Sequence, residues 1–130
     1  MHGGISPSLN SLDDIRKLQR PITKPKGLAQ DMLWADPSHG VDGFKPNSLR
    51  SVSVNFGERE VQERLKKLGV SKLFRAHQVV QWGWEAFANG SVVTVFSASR
   101  YQEESSNCGA VLEVRKNLGI SVHMVSESDI

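Results

Sequence analysis

The side chains of this 130-residue sequence best suited to chemistry are His2, Asp36, Arg50, Arg75, His77 and Tyr101. His2 stands before Gly3-Gly4, and His77 lies in Arg75-Ala76-His77-Gln78, where a branched segment meets a loop. A histidine at a strand end can offer a ring nitrogen to a metal while the sheet holds its backbone, and neutral imidazole suits zinc, iron and manganese. The alternative is that each ring only satisfies a hydrogen bond, and two histidines far apart in sequence do not decide between these. Arg50 and Arg75 each carry a planar fork that matches a phosphate or carboxylate in bidentate fashion, or else serve as ordinary surface charges. Asp36, in Trp34-Ala35-Asp36-Pro37, can accept hydrogen bonds in a site or initiate the turn that its proline neighbour favours. Tyr101, after Phe96-Ser97-Ala98-Ser99-Arg100, can point a phenol into a cleft or pack as a half-buried ring. His39 and His123 have no such company.

These residues need elements to hold them. Ser11, with Asp13 and Asp14 in the first turn, starts a helix whose apolar Leu12, Ile15 and Leu18 recur until Arg20-Pro21 stops it. Residues 21–47 hold four of the five prolines and predict a long irregular loop broken by the apolar knot Met32-Leu33-Trp34. The clearest helix is Glu58 to Leu68, with Val61, Leu65 and Leu68 as its buried stripe, Glu63 and Lys67 as an i,i+4 pair, and Gly69 as its stop. Beyond Gly69 the period becomes that of strands: Val70–Ala76, Val92–Ala98, Ala110–Arg115 and Ile120–Val125, the last two joined as a hairpin through 116–119. The tail 126–130 is polar and acidic and is expected to fray.

Composition narrows the function classes. Sixteen basic against fourteen acidic residues give a formal charge of +2 with the signs interspersed, which argues against a nucleic-acid or membrane surface as the main partner. The single cysteine, Cys108, has no partner for a disulfide or a CxxC metal site, so a reducing compartment, cytoplasm or nucleus, is expected. No apolar run approaches the ~18 residues of a membrane span.

Taken in order, the segments MHGGISP, the Arg20-Pro21 helix end, DMLWADP, an arginine before Val52-Ser53 with Phe56-Gly57 following, FRAHQVV, and VVTVFSASRY then NCGAV resemble the C-terminal half of the phosphoprotein phosphatase (PPP) family of serine/threonine phosphatases. The likeness covers nearly the whole chain. Asn47-x-x-Arg50 and Ser97-Ala98-Ser99-x-Tyr101-x-Glu103-Glu104 lean toward the EF-hand-carrying, retinal degeneration C-like branch.

The resemblance implies an α/β sandwich, the C-terminal half of a calcineurin-like metallophosphoesterase fold with mixed sheets flanked by helices, occupying residues 1–125. It further implies two divalent or trivalent metal ions of the manganese, iron or zinc type, and phosphoprotein substrates, with regulatory subunits or domains as partners. On the matching positions, His2 and His77 would ligate one metal, Arg50 would bind the substrate phosphate and Tyr101 would line the cleft beside the attacking water. Trp34 and Asp36 would lie at the rim, and Arg75 would be structural. Three further family motifs, Gly-Asp-x-His-Gly, Gly-Asp-x-x-Asp-Arg-Gly and Gly-Asn-His-Glu, supply the remaining ligands and the general acid, and none occurs in these 130 residues. Isolated, the chain is therefore expected to be inactive, with the alternative of a non-catalytic interaction remnant. In the family a strand leads into the His-Gly-Gly turn, so the opening Met1-His2 is expected to be a cut edge. Ser51 replaces the glycine that usually follows the phosphate-binding arginine, and this is expected to tighten the backbone there.

Overall fold

A computed structural model describes residues 1–102 and 104–126; Glu103 of the tyrosine loop and most of the expected polar tail lie outside the described residues. The chain begins with the His-Gly-Gly turn and reaches α1 (Leu12–Arg16), whose start is fixed where Asp14 Oδ2 accepts the N–H groups of Asn10 and Ser11 at 2.8 and 2.9 Å. This helix is shorter than the apolar spacing predicts. The Leu18 N–H already turns back to Ile15 three residues earlier, and the residue before a proline is biased to extended backbone, so the helix ends well before Arg20-Pro21.

The region predicted as irregular contains three elements: α2 (Leu28–Trp34), β1 (Asp36–Pro37) and β2 (Phe44–Pro46). The apolar knot is the end of α2. Asp31 in this helix accepts hydrogen bonds from Ser6 Oγ (2.5 Å) and Ser53 Oγ (2.7 Å), tying the N-terminal turn to the loop before β3 (Val54–Phe56). Then follows α3 (Glu58–Leu68), with Glu58 and Glu60 in its first turn and Lys66 and Lys67 in its last, each complementing the helix dipole. Its Val61 and Leu65 are buried, and Gly69 ends it in the left-handed region at φ 66°, where a glycine carries no Cβ penalty. The i,i+4 ion pair found on its surface is Arg59 with Glu63 at 3.8 Å.

Five further strands complete the chain: β4 (Leu73–Arg75), β5 (Trp84–Phe87), β6 (Val92–Val95), β7 (Gly109–Val114) and β8 (Ile120–Val125). They form three sheets. In β1-β3-β2 and in β4-β6-β5 the central strand pairs parallel with the first-named neighbour and antiparallel with the other, and β7-β8 is the expected hairpin. β5, unpredicted, has an exposed face and only Phe87 buried, so it lacks the apolar run that marks a core strand. Ile5, Leu9, Ala35, Phe56, Val61, Leu65, Leu73, Phe87, Ala88 and Val92 join the first two sheets, the N-terminal segment and α3 into one core. Burying such side chains contributes about 1.5–3 kcal/mol for each large one. None of the helices among the described residues is long and apolar enough to cross a membrane.

Candidate metal and phosphate site

The N-terminal segment and the end of β4 meet at the two histidines. Met1 and His2 run beside β4: the Met1 amino group donates to the Phe74 carbonyl (3.1 Å), and the Ala76 N–H donates to the His2 carbonyl (3.0 Å). The turn that follows needs glycine because another backbone occupies the space. A Cβ on Gly3 would lie 2.6 Å from the backbone at Leu33 and Trp34, and one on Gly4 would lie 2.3 Å from the Phe56 ring. This seats the turn against the end of α2, where the Gly3 N–H donates to the Met32 carbonyl at 2.7 Å.

His2 Nε2 and His77 Nδ1 are thereby brought to 3.0 Å, with the rings edge-on at 4.8 Å between centroids. His77 is held in an unusual backbone state. Its φ is 68°, and the Gln78 N–H donates to the Ala76 carbonyl across it at 2.9 Å, which makes His77 the centre of a γ-turn of the rare, strained hand. Residues held in such sparsely populated states cluster at functional sites, which makes His77 a candidate. Burial, joined by the positive charge of Arg50, pushes the His77 imidazole below its ordinary pKa, so the ring is neutral and can offer a lone pair at pH 7.

The same turn anchors Arg50. Its Nη2 donates to the His77 carbonyl at 2.7 Å, and its Nε donates to Asp36 Oδ2 at 3.0 Å, while Nη1 has no protein partner among the described residues. Asp36 does not stand at the rim as expected. It is only 3% exposed and sits behind the cleft, where Oδ2 also accepts from Asn47 Nδ2 (2.9 Å) and Oδ1 accepts from Arg75 Nη2 (2.7 Å). Burial raises its pKa, but hydrogen bonds from Arg50, Asn47 and Arg75 and the Arg75 charge outweigh that and hold the carboxyl below its ordinary value. Arg75, 1% exposed, is a hydrogen-bonding hub: it also donates to the Gly3 and Ala35 carbonyls, Thr94 Oγ1 and Gln78 Oε1. Burial pulls its own pKa down, yet a guanidinium remains charged at any working pH.

A cleft of about 910 Å³ opens over these groups, lined among others by His2, His77, Arg50, Trp34, Phe96 and Tyr101. Trp34 lies at this rim with its ring edge-on to His77 at 5.3 Å. Tyr101 also lines the cleft and is exposed, with its ring edge-on to Phe96 at 5.0 Å. Its loop is organised by buried Asn107, whose Oδ1 accepts from the Tyr101 N–H (3.1 Å) and whose Nδ2 donates to the carbonyls of Ala98 (2.9 Å) and Cys108 (3.0 Å). Sequence reasoning noted Asn47 before Arg50 and Asn107 in NCGAV but gave neither a role in the site. Both are short amides in loops, and only the three-dimensional path of the chain reveals what they bridge.

Two imidazole nitrogens 3.0 Å apart fit around one ion at the usual ~2.1 Å from each. His77 Nε2 is buried without a partner, so nothing else among the described residues fixes its tautomer. The fit extends to these two donors only. Among the described residues no group of three or more histidine, cysteine, aspartate or glutamate side chains is arranged to hold an ion.

The profile of the calcineurin-like phosphoesterase family matches residues 1–81. A Caenorhabditis elegans protein named as a serine/threonine-protein phosphatase is 44% identical over the whole of this chain, which spans 28% of that relative's length. Among solved structures, a Saccharomyces cerevisiae protein serine/threonine phosphatase with similarity to human phosphatase PP5 superposes with a TM-score of 0.83 at 26% identity, over 97% of this chain and 43% of its own. With its layered mixed sheets, its His-Gly-Gly turn and its paired histidines, this chain belongs to the calcineurin-like phosphoesterase family, as a relative of the phosphoprotein phosphatases.

Proposed function

We propose that residues 1–125 form part of the catalytic domain of a metal-dependent phosphatase that hydrolyses phosphoserine and phosphothreonine in proteins. The observation that carries this reading is the pair of histidine nitrogens 3.0 Å apart in the cleft onto which Arg50 also opens. His2 and His77 are the metal ligands. Bound metal ions in such a site lower the pKa of a water and neutralise charge on the phosphoryl group. Arg50 takes the phosphate: two of its nitrogens are fixed on Asp36 and the His77 carbonyl, so the third is aimed without further loss of side-chain freedom. Tyr101 closes the side of the cleft beside the phosphoryl group. Phosphoproteins are the substrates, regulatory subunits select them, and a single Cys108 without a disulfide partner in these 130 residues favours a reducing compartment, cytoplasm or nucleus.

A catalytic ion takes about three protein ligands and a water. Among the described residues two donors converge, which favours the reading that the isolated polypeptide does not turn over substrate. Manganese titration followed by NMR tests the site. Paramagnetic broadening centred on the His2 and His77 rings, lost in His2→Ala, is expected, along with no release of phosphate from a phosphoserine peptide. Broadening centred elsewhere, or unchanged by His2→Ala, overturns the metal assignment, and sustained turnover overturns the inactivity.

A further inference from the structure

The connector between α1 and α2 carries charge that the cleft does not use. Over residues 16–26 stand Arg16, Lys17, Arg20, Lys24 and Lys26 with no carboxylate among them, leaving eleven basic against fourteen acidic residues in the rest of the chain. Although the signs are interspersed over the chain as a whole, this one segment is wholly basic, and a one-signed run against a mildly acidic background points to an anionic polypeptide partner. All five cations are exposed. Arg16 is paired with Asp13 at 2.7 Å and Lys17 lies near Asp14, whereas Arg20, Lys24 and Lys26 have no ion pair among the described residues.

Two features make this more than a solvated run. Pro21 and Pro25 fix φ at two points between the free cations, which lowers the conformational entropy that the segment loses on gaining a partner. Ile22, between Arg20 and Lys24, is 41% exposed and offers an apolar contact in the middle of the charges. The segment contains no aromatic side chain on which a base can stack, and three free cations make a small footprint for a phosphate backbone. An acidic polypeptide with an apolar residue among its carboxylates fits better.

Position adds to this. The connector ends at Gly27, the N-terminal boundary of α2, and the other end of α2 is Trp34 at the cleft. Seven helical residues span about 10 Å, the reach of roughly three extended residues. We infer that the connector 16–26 docks an acidic, Leu- or Ile-bearing segment of a partner protein, and, where the phosphatase reading holds, that this segment lies a few residues from the phosphorylated side chain.

The test uses the whole chain and a fluorescein-labelled decapeptide of glutamate and aspartate with one central leucine, without phosphate, so that its outcome does not depend on the cleft. Anisotropy at about 50 mM salt is expected to show saturable binding that falls at least about tenfold in Lys24→Glu/Lys26→Glu, less in Lys24→Gln/Lys26→Gln, and largely vanishes at about 0.5 M salt. Arg50→Ala should leave it unchanged; failure there alone moves docking to the cleft and overturns the connector. No binding, binding indifferent to the charge reversal, or tighter binding of a ten-nucleotide oligothymidine also overturns the inference.

Discussion

Asn in place of Asp36 tests the buried network behind the cleft. The Asp36 side chain is 4% exposed and faces Arg75, whose side chain is 0% exposed, at 2.7 Å, and Arg50 at 3.0 Å. Removing the carboxylate's charge leaves two arginines, one of them wholly buried, without a counter-ion. Breaking a buried pair from one side costs about 3–5 kcal/mol. Asn keeps an acceptor oxygen, so Asp36→Asn is expected near ~3 kcal/mol, a large share of a typical ~5–15 kcal/mol. The acid limb supplies a second reading of the same network. The folded pKa of Asp36 lies below its unfolded value of ~3.9, so its stabilisation is complete above ~3.9 and is lost as pH falls through the folded pKa. Urea denaturation followed by circular dichroism should therefore show a gap between wild type and Asp36→Asn that is constant near neutrality and narrows below pH ~4. A variant within ~1 kcal/mol of wild type at pH 7, or a gap that does not narrow in acid, refutes the reasoning.

Two further changes test backbone strain. Leu118, 78% exposed in the β7–β8 turn, has a φ of 66°, so Leu118→Gly should stabilise the chain by up to about 1 kcal/mol, read as a raised thermal midpoint; a fall would mean that its side chain packs in a way the exposure denies. At His77, with φ 68°, glycine should be better tolerated than alanine by about 1 kcal/mol in denaturant midpoint, and equal stabilities of His77→Gly and His77→Ala would count against the strained γ-turn.

Much of the site was legible because its chemistry is carried by short, ordered motifs. His2, Arg50, His77, Trp34 and Tyr101 do converge on one cleft, and α3 and the last hairpin stand where their periods put them. Strand edges were legible only to within a few residues, since Val70–Ala76 narrows to Leu73–Arg75 where pairing with β6 begins and ends. α2 was hidden because seven residues give too little period to rise above the prolines and glycines around it. Ser51, which stands where the resemblance expects a glycine, takes φ 59°, a region that favours glycine.

Sequence by itself determined which residue types are available and their order along the chain: two histidines beside turns, an arginine in a loop, a tyrosine after a strand, and no earlier ligand motifs in these 130 residues. Tertiary structure alone decided their company. Asp36 reads in sequence as a turn or a rim residue, but folding carries it behind the cleft between Arg50 and Arg75, because β1 pairs with β3 and a buried guanidinium charge needs a carboxylate beside it. The meeting of His2 with His77 likewise depends on Met1-His2 lying along β4, a contact between residues more than seventy positions apart that no local pattern encodes.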